Sequence, residues 1–199
     1  EFEFRVFVSP VGPYYKGGGL SLINLAVIDL DRAAPKGLGA FKAGANYAGG
    51  LMATQMAQEM GAQEALYLDP VERRFLEEAG SANIVLKMKD GTIVTPQSES
   101  ILPGVTQRSV MTLAADLLGM KTQERPVEFL KEVADIEEFA ACGTAAVISP
   151  VGRIRSGDTW HRFYGNGEAI GPVTQQLYDL LMAIQKGERE DPNGWTRPV

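Results

Sequence analysis

The run LINLAVIDL at residues 22–30 puts seven apolar side chains into nine positions. That density marks a mostly buried strand, and it is far short of the roughly 18–20 apolar residues of a membrane span. The rest of the chain must therefore cover it. Strand-like runs follow at EALYLD (64–69) and at NIVLKMKDGTIVTP (83–96), the second a hairpin about Asp90-Gly91. EEFAACGTAAVISPVGRI (137–154) reads as two strands broken at Gly143. FEFRVFV (2–8) alternates and also predicts a strand, opening without a lead-in, as though the chain begins mid-protein. Between these lie helical patterns. Leu51, Met52, Met56 and Met60 recur at helical spacing over 46–60, ahead of a stop at Gly61. An amphipathic helix spans 107–120, a short one 128–134, and a last one 173–187, ending at Gly187. SPVGPYYKGGG (9–19) is a loop, KGGG within it a flexible one, and the tail after 187 is polar surface. The order is a mixed α/β (α+β) one, and 199 residues suffice for one sizeable core.

Composition removes several functions. The net charge is −6, with 19 scattered basic residues, which argues against nucleic acid and membrane surfaces as partners. One cysteine, Cys142, excludes a disulfide framework and a four-cysteine zinc site, and one histidine, His161, argues against a histidine metal site. No basic, apolar leader opens the chain, so a cytoplasmic location is the expectation. His161 reads as a loop histidine, and Trp160 and Phe163 as packing residues.

KGLGAFKAGANYAGG (36–50) then raises a chemical question. Five glycines and four alanines surround two lysines. Ala43 follows Lys42, so no P-loop G-K-[ST] forms; Lys42 also takes the sixth position that G-x-G-x-x-G gives to glycine. GNGEAIG (165–171) is one residue too long. The alternatives are a solvated loop lysine or a covalent one, whose amine small apolar neighbours would desolvate and activate. A pyridoxal phosphate site needs such a lysine, an acid for the pyridine nitrogen, a donor to the ring O3′ and a phosphate cup. EEAGSAN (77–83), ILPGVTQ (101–107) and CGTAA (142–146) supply candidate pieces; each alone also reads as a turn, a helix cap or a β-bulge.

Taken together and in order, these blocks resemble the branched-chain amino-acid aminotransferases, a class IV aminotransferase family of fold-type IV pyridoxal-phosphate enzymes. The resemblance runs through SPVGPYY (9–15), KAGANYA (42–48), EEAGSAN, LPGVT (102–106), GTAAVISPV (143–151) and GPVTQQLYDLLMAIQKGEREDPNGW (171–195). It implies a curved sheet, or pseudo-barrel, flanked by helices. It implies that Lys42 bonds the cofactor and moves the substrate proton, and that Tyr47 donates to O3′. Glu78 would pair with the pyridine nitrogen; Glu77 is the rival, but the E-x-G-x-x-N spacing to Asn83 favours Glu78. The main-chain N–H groups of Val105 and Thr106 and the Thr144 hydroxyl would hold the phosphate. The backbone of Ala145 and Ala146 would receive the substrate carboxylate. The implied reaction is ping-pong transfer of nitrogen from leucine, isoleucine or valine to 2-oxoglutarate, in a homodimer.

Two features depart from relatives. Gly49 and Gly50 stand where serines are common, and Gln107, with Arg108 next, stands where an arginine is common. Some animal relatives carry a redox C-x-x-C whose positions here hold Ala146 and Ser149, so no thiol switch is expected. Cys142 then reads as a small buried side chain. Members carry a smaller N-terminal domain ahead of SPVGPYY, so 1–199 is expected to be the large cofactor-binding domain alone, weak in cofactor binding and poor in turnover. D-amino-acid aminotransferases and aminodeoxychorismate lyases share the lysine, glutamate and L-P-G-x-T logic, and a non-catalytic module on the same fold is the remaining alternative.

Overall fold

The computed structural model describes residues 2–10 and 20–197. The loop expected over 11–19 lies outside the described residues. Fourteen elements build one mixed sheet and its helical cover. The strands are β1 (Ile23–Val27), β2 (Glu64–Leu68), β3 (Leu76–Ala79), β4 (Asn83–Met88), β5 (Ile93–Pro96), β6 (Thr122–Arg125), β7 (Ile136–Gly143), β8 (Val147–Ser156) and β9 (Thr159–Arg162). The helices are α1 (Gly44–Ala48), α2 (Gly50–Glu59), α3 (Val105–Asp116), α4 (Phe129–Glu132) and α5 (Pro172–Gln185). The strand order is β3-β2-β1-β8-β7-β4-β5-β6, with β9 added to β8. Because β3 also packs against β4 and β5, the sheet curls on itself.

Two crossovers set the frame. β1 and β2 are parallel and joined through α1 and α2; β5 and β6 are parallel and joined through α3. Parallel neighbours require such connections, whereas β4–β5 and β7–β8 close as antiparallel hairpins. Gly91 turns the first hairpin at φ 88, a conformation that side chains avoid. Ile23, Leu25, Leu66, Leu76, Phe129 and Phe139 lead the largest buried cluster, and a second fills the space between the sheet and helices α3 and α5.

Several sequence expectations need correction. Residues 2–8 form no strand: Phe2, Phe4 and Phe7 are exposed, and no ladder partner exists among the described residues. Alternation fits a segment for a sheet edge but does not supply the edge. The 46–60 helix is two helices meeting at Gly49, and its buried face is Ala53 and Ala57, packed by Ala65 and Tyr67. Leu51, Met52 and Met56 face outward instead. Small residues let α2 sit close to β2, which a methionine face would prevent. β3, β6 and β9 were not expected. α3 starts at Val105, two residues early. His161 lies on β9, edge-on to Phe129 at 5.4 Å, while Phe163 packs on Phe139 as expected. Among the described residues, no helix is long and apolar enough to cross a membrane.

Candidate active site

Lys42 sits in irregular chain just before α1. The segment is not slack. Buried Asn46 donates from Nδ2 to the carbonyls of Leu38 (2.7 Å) and Phe41 (3.0 Å), clamping the chain ahead of Lys42 from one turn beyond it. In the sequence Asn46 stands out only as the one amide in a stretch rich in glycine and alanine. The Lys42 ammonium lies 4.2 Å from the centroid of the Tyr47 ring, five residues on. The expected desolvation of this lysine is not found: Lys42 is exposed, and small neighbours alone do not exclude water.

Glu77 and Glu78 are both buried on β3 and have separate partners. Successive strand residues point to opposite faces, so two adjacent acids meet two environments. Glu77 accepts from the hydroxyls of Ser98 (2.8 Å) and Ser100. Glu78 Oε1 accepts from Asn83 Nδ2 at 3.0 Å and from the Leu102 main-chain N–H at 2.5 Å, while Arg32 Nε lies 3.4 Å from Oε2. Burial pushes the Glu78 carboxyl up to about 7; Arg32, the Leu102 N–H and Lys42 pull the other way, and Glu77 adds to the rise. Lys42 thus acts on Glu78 through its charge.

The Glu78 partners lead directly to α3. Asn83 also donates to the Leu102 carbonyl at 2.8 Å. Gly104 packs so tightly on Asn83 that a Cβ there would come 1.9 Å from Oδ1. Gly104 is the N-cap of α3 and no side chain caps that helix, whose first residues are Val105 and Thr106. Uncapped N–H groups at a helix start form an anion site by both direction and dipole. Gln107, in the arginine position of relatives, is buried and donates to Thr95 Oγ1 at 2.9 Å, while Arg108 is exposed. Thr144, Ala145 and Ala146 form the β7–β8 turn, with Thr144 and Ala145 exposed. The Gly143 end of that turn backs onto Ser81 and Ala82, just after Glu78. Cys142 is buried beside it, its thiol pushed up to about 12 by burial and by Glu78. At Gly49 a Cβ would meet nothing within 4 Å, and at Gly50 only the Tyr67 hydroxyl at 3.6 Å. The glycine pair therefore answers no steric need among the described residues.

Arg32 was missed altogether. It is 6% exposed, and its Nη2 donates to the carbonyls of Gly39 (3.0 Å) and Ser100. The only hint in the sequence was a charged residue closing the apolar β1 run.

The Lys42 amine beside Tyr47, the buried Glu78 carboxyl that its charge reaches, and the uncapped start of α3 tied to Glu78 through Asn83 and Leu102 lie on a curled mixed sheet. A family model described as amino-transferase class IV matches residues 4–154, and the chain belongs to that family. It is 46% identical over 200 residues to the branched-chain-amino-acid aminotransferase of Haemophilus influenzae, covering 98% of this chain and 57% of that protein. The Mycobacterium tuberculosis (H37Rv) branched-chain-amino-acid aminotransferase is 41% identical over 98% of this chain and 55% of its own length. The chain thus spans little more than half the length of these curated relatives. Among solved structures, the Escherichia coli branched-chain amino acid aminotransferase superposes with a TM-score of 0.80 at 31% identity, over 94% of this chain and 59% of that one. The Thermobaculum terrenum branched-chain amino acid aminotransferase in its PLP-form gives a TM-score of 0.71 at 27% identity, over 82% of this chain and 51% of that one.

Proposed function

We propose that residues 1–199 are the cofactor-binding large domain of a pyridoxal-phosphate-dependent branched-chain amino-acid aminotransferase. The whole enzyme passes the amino group of leucine, isoleucine or valine to 2-oxoglutarate. The observation that carries this reading is that Lys42, beside Tyr47, lies within electrostatic reach of the buried Glu78. The donor set fits pyridoxal phosphate: an amine for its aldehyde, an acid for its ring nitrogen, a phenol for its O3′ and uncapped N–H groups for its phosphate.

When bound, that group supplies an electrophilic carbon and a ring that takes up electrons. The residues do the rest. The Lys42 amine would hold the cofactor through its aldehyde carbon and, when free, would move the proton to and from the substrate Cα. The Tyr47 hydroxyl donates to O3′. The Glu78 carboxylate accepts the ring N–H and so favours its protonated form. The Val105 and Thr106 N–H groups, with the Thr144 hydroxyl, hold the phosphate. The backbone N–H groups of Ala145 and Ala146, at an exposed turn, take the substrate carboxylate.

The working form in this reading is a cytoplasmic homodimer, which light scattering checks. The activity is tested on a chain of the relatives' length with leucine, isoleucine, valine, D-alanine and aminodeoxychorismate, each against 2-oxoglutarate where a transfer is assayed. Nitrogen transfer from the three branched-chain substrates is the expected result. Turnover confined to D-alanine or aminodeoxychorismate moves the assignment within the fold type, and no turnover with any of the five removes it.

A further inference from the structure

Arg32 stands where three segments meet. Its Nη2 holds the Gly39 carbonyl, three residues before Lys42, and the Ser100 carbonyl, in the loop that runs into α3. Those two segments touch: a Cβ on Gly39 would fall 2.3 Å from the Ser100 carbonyl oxygen and 2.7 Å from its Cα. The third segment is β3, where Glu78 Oε2 faces Arg32 Nε at 3.4 Å. That Nε is buried and has no hydrogen-bond partner, so the carboxylate oxygen ahead of it is its nearest counter-charge. Oε1 is already occupied by Asn83 and Leu102. A guanidinium stays protonated in any fold, whereas a carboxyl in this setting can discharge itself by taking a proton.

We propose that Arg32 is the positioning residue for Glu78: it opposes protonation of this carboxyl and aims it, and it ties the Lys42 segment and the loop before α3 to it. The inference rests on the reading of Glu78 as the partner of the cofactor's ring nitrogen. A merely structural clamp would hold the two carbonyls with no effect on how Glu78 ionises. The charged groups that act on Glu78 are Arg32, Lys42 and Glu77, while the neighbouring Cys142 thiol is itself raised by Glu78; Asn83 and Leu102 contribute neutral donors. Burial sets the Glu78 carboxyl at about 7 even with Arg32 present. Losing one of the two cations that oppose burial therefore turns Glu78 into a neutral acid at neutral pH, unable to hold a ring N–H as a charged acceptor.

The test is made first without cofactor. The Glu78 carboxyl is titrated by carbon NMR, assigned by its disappearance in Glu78→Gln, in wild type, Arg32→Met and Arg32→Lys. Arg32→Met is expected to move the midpoint upward by at least about one pH unit, and Arg32→Lys, which keeps a charge, by less. An unmoved midpoint in folded Arg32→Met overturns the proposal. Should Arg32→Met not fold, the wild-type Arg32 Nε–H nitrogen signal decides: it must titrate with the Glu78 midpoint, and a flat signal overturns the proposal. Pyridoxal phosphate is then added. Its dissociation constant should rise about tenfold or more in Arg32→Met and recover partly in Arg32→Lys. Equal affinity in all three overturns the positioning role. Failure of the wild type, in a chain of the relatives' length, to take up pyridoxal phosphate, with the coupled titration intact, fells the function reading and removes the purpose of Arg32 with it. Failure of the titration alone counts against Arg32 only.

Discussion

The layer between the sheet and helices α3 and α5 is filled by Val110, Leu113, Ala140, Leu177, Leu181 and Ile184. Around β1 and β3, in contrast, Arg32, Glu64, Glu77 and Glu78 are all buried. The first region stabilises by removing apolar area from water, at about 25 cal/mol per Å². The second works against that, because each buried charge loses its hydration and recovers it only through well-placed partners. Ser98 and Ser100 donate to Glu77, Asn83 and the Leu102 main-chain N–H to Glu78, and Ser81 to Glu64. The contrast separates what holds the fold from what prepares the site. Lys42 goes further still, since it lies outside both regions, exposed on a segment clamped by Asn46.

That separation predicts unequal effects. The largest is on chemistry alone. Lys42→Ala should abolish covalent uptake of pyridoxal phosphate, read as loss of the visible absorbance, and reduce turnover to background. Its unfolding free energy should stay within about 0.5 kcal/mol of wild type, because the side chain is exposed. A large loss of stability would mean that the site and the fold are not separable there.

Leu113→Ala is the mirror case. Leu113 is fully buried between α3 and the sheet, and its truncation should cost about 2–5 kcal/mol in denaturant unfolding. The site should keep its cofactor under conditions where the variant remains folded.

Glu78 gives the charged region its own signature. Its carboxyl stands at about 7 in the fold against an ordinary 4.5, so the folded chain keeps a proton that the unfolded chain has released. The stability this contributes is complete below about pH 4.5 and lost as pH rises through 7. Wild type should therefore lose ground against Glu78→Gln between pH 5 and 8, by on the order of 2–3 kcal/mol at most. A pH-independent difference between the two would show that burial does not govern this acid.

The smallest effect concerns the glycine pair. Gly49 has helical backbone angles, φ −63 and ψ −30, and a Cβ there meets nothing within 4 Å. Gly49→Ala should stabilise the chain by about 0.5–1 kcal/mol. A loss of cofactor affinity in that variant would show that the missing Cβ serves the ligand.

Local pattern carried much of the fold. The Asp90-Gly91 hairpin, the break at Gly143 and the helices α3 and α5 follow from turn chemistry and periodicity within one segment. β3, β6 and β9 escaped because each has four residues and no apolar pattern of its own: LEEA, TQER and TWHR are strands because a neighbour pairs with them. FEFRVFV shows the reverse, a good strand pattern without a partner among the described residues. α2 inverted its expected face because closeness to β2 favoured Ala53 and Ala57 over larger side chains.

By itself the sequence determined which chemical groups are present and how they are spaced along the chain: Lys42 with Tyr47 five residues on, an acid five before Asn83, and a glycine ahead of Val105 and Thr106. Those spacings are local and survive in one dimension. Only the tertiary structure decided that the charge of Lys42 reaches Glu78, that Lys42 faces water, and that Arg32 lies against Glu78. Glu78 meets Leu102 across 24 residues and Arg32 meets Ser100 across 68. Contacts that distant are set by how the sheet curls and which loops it brings together, and no stretch of the sequence encodes them alone.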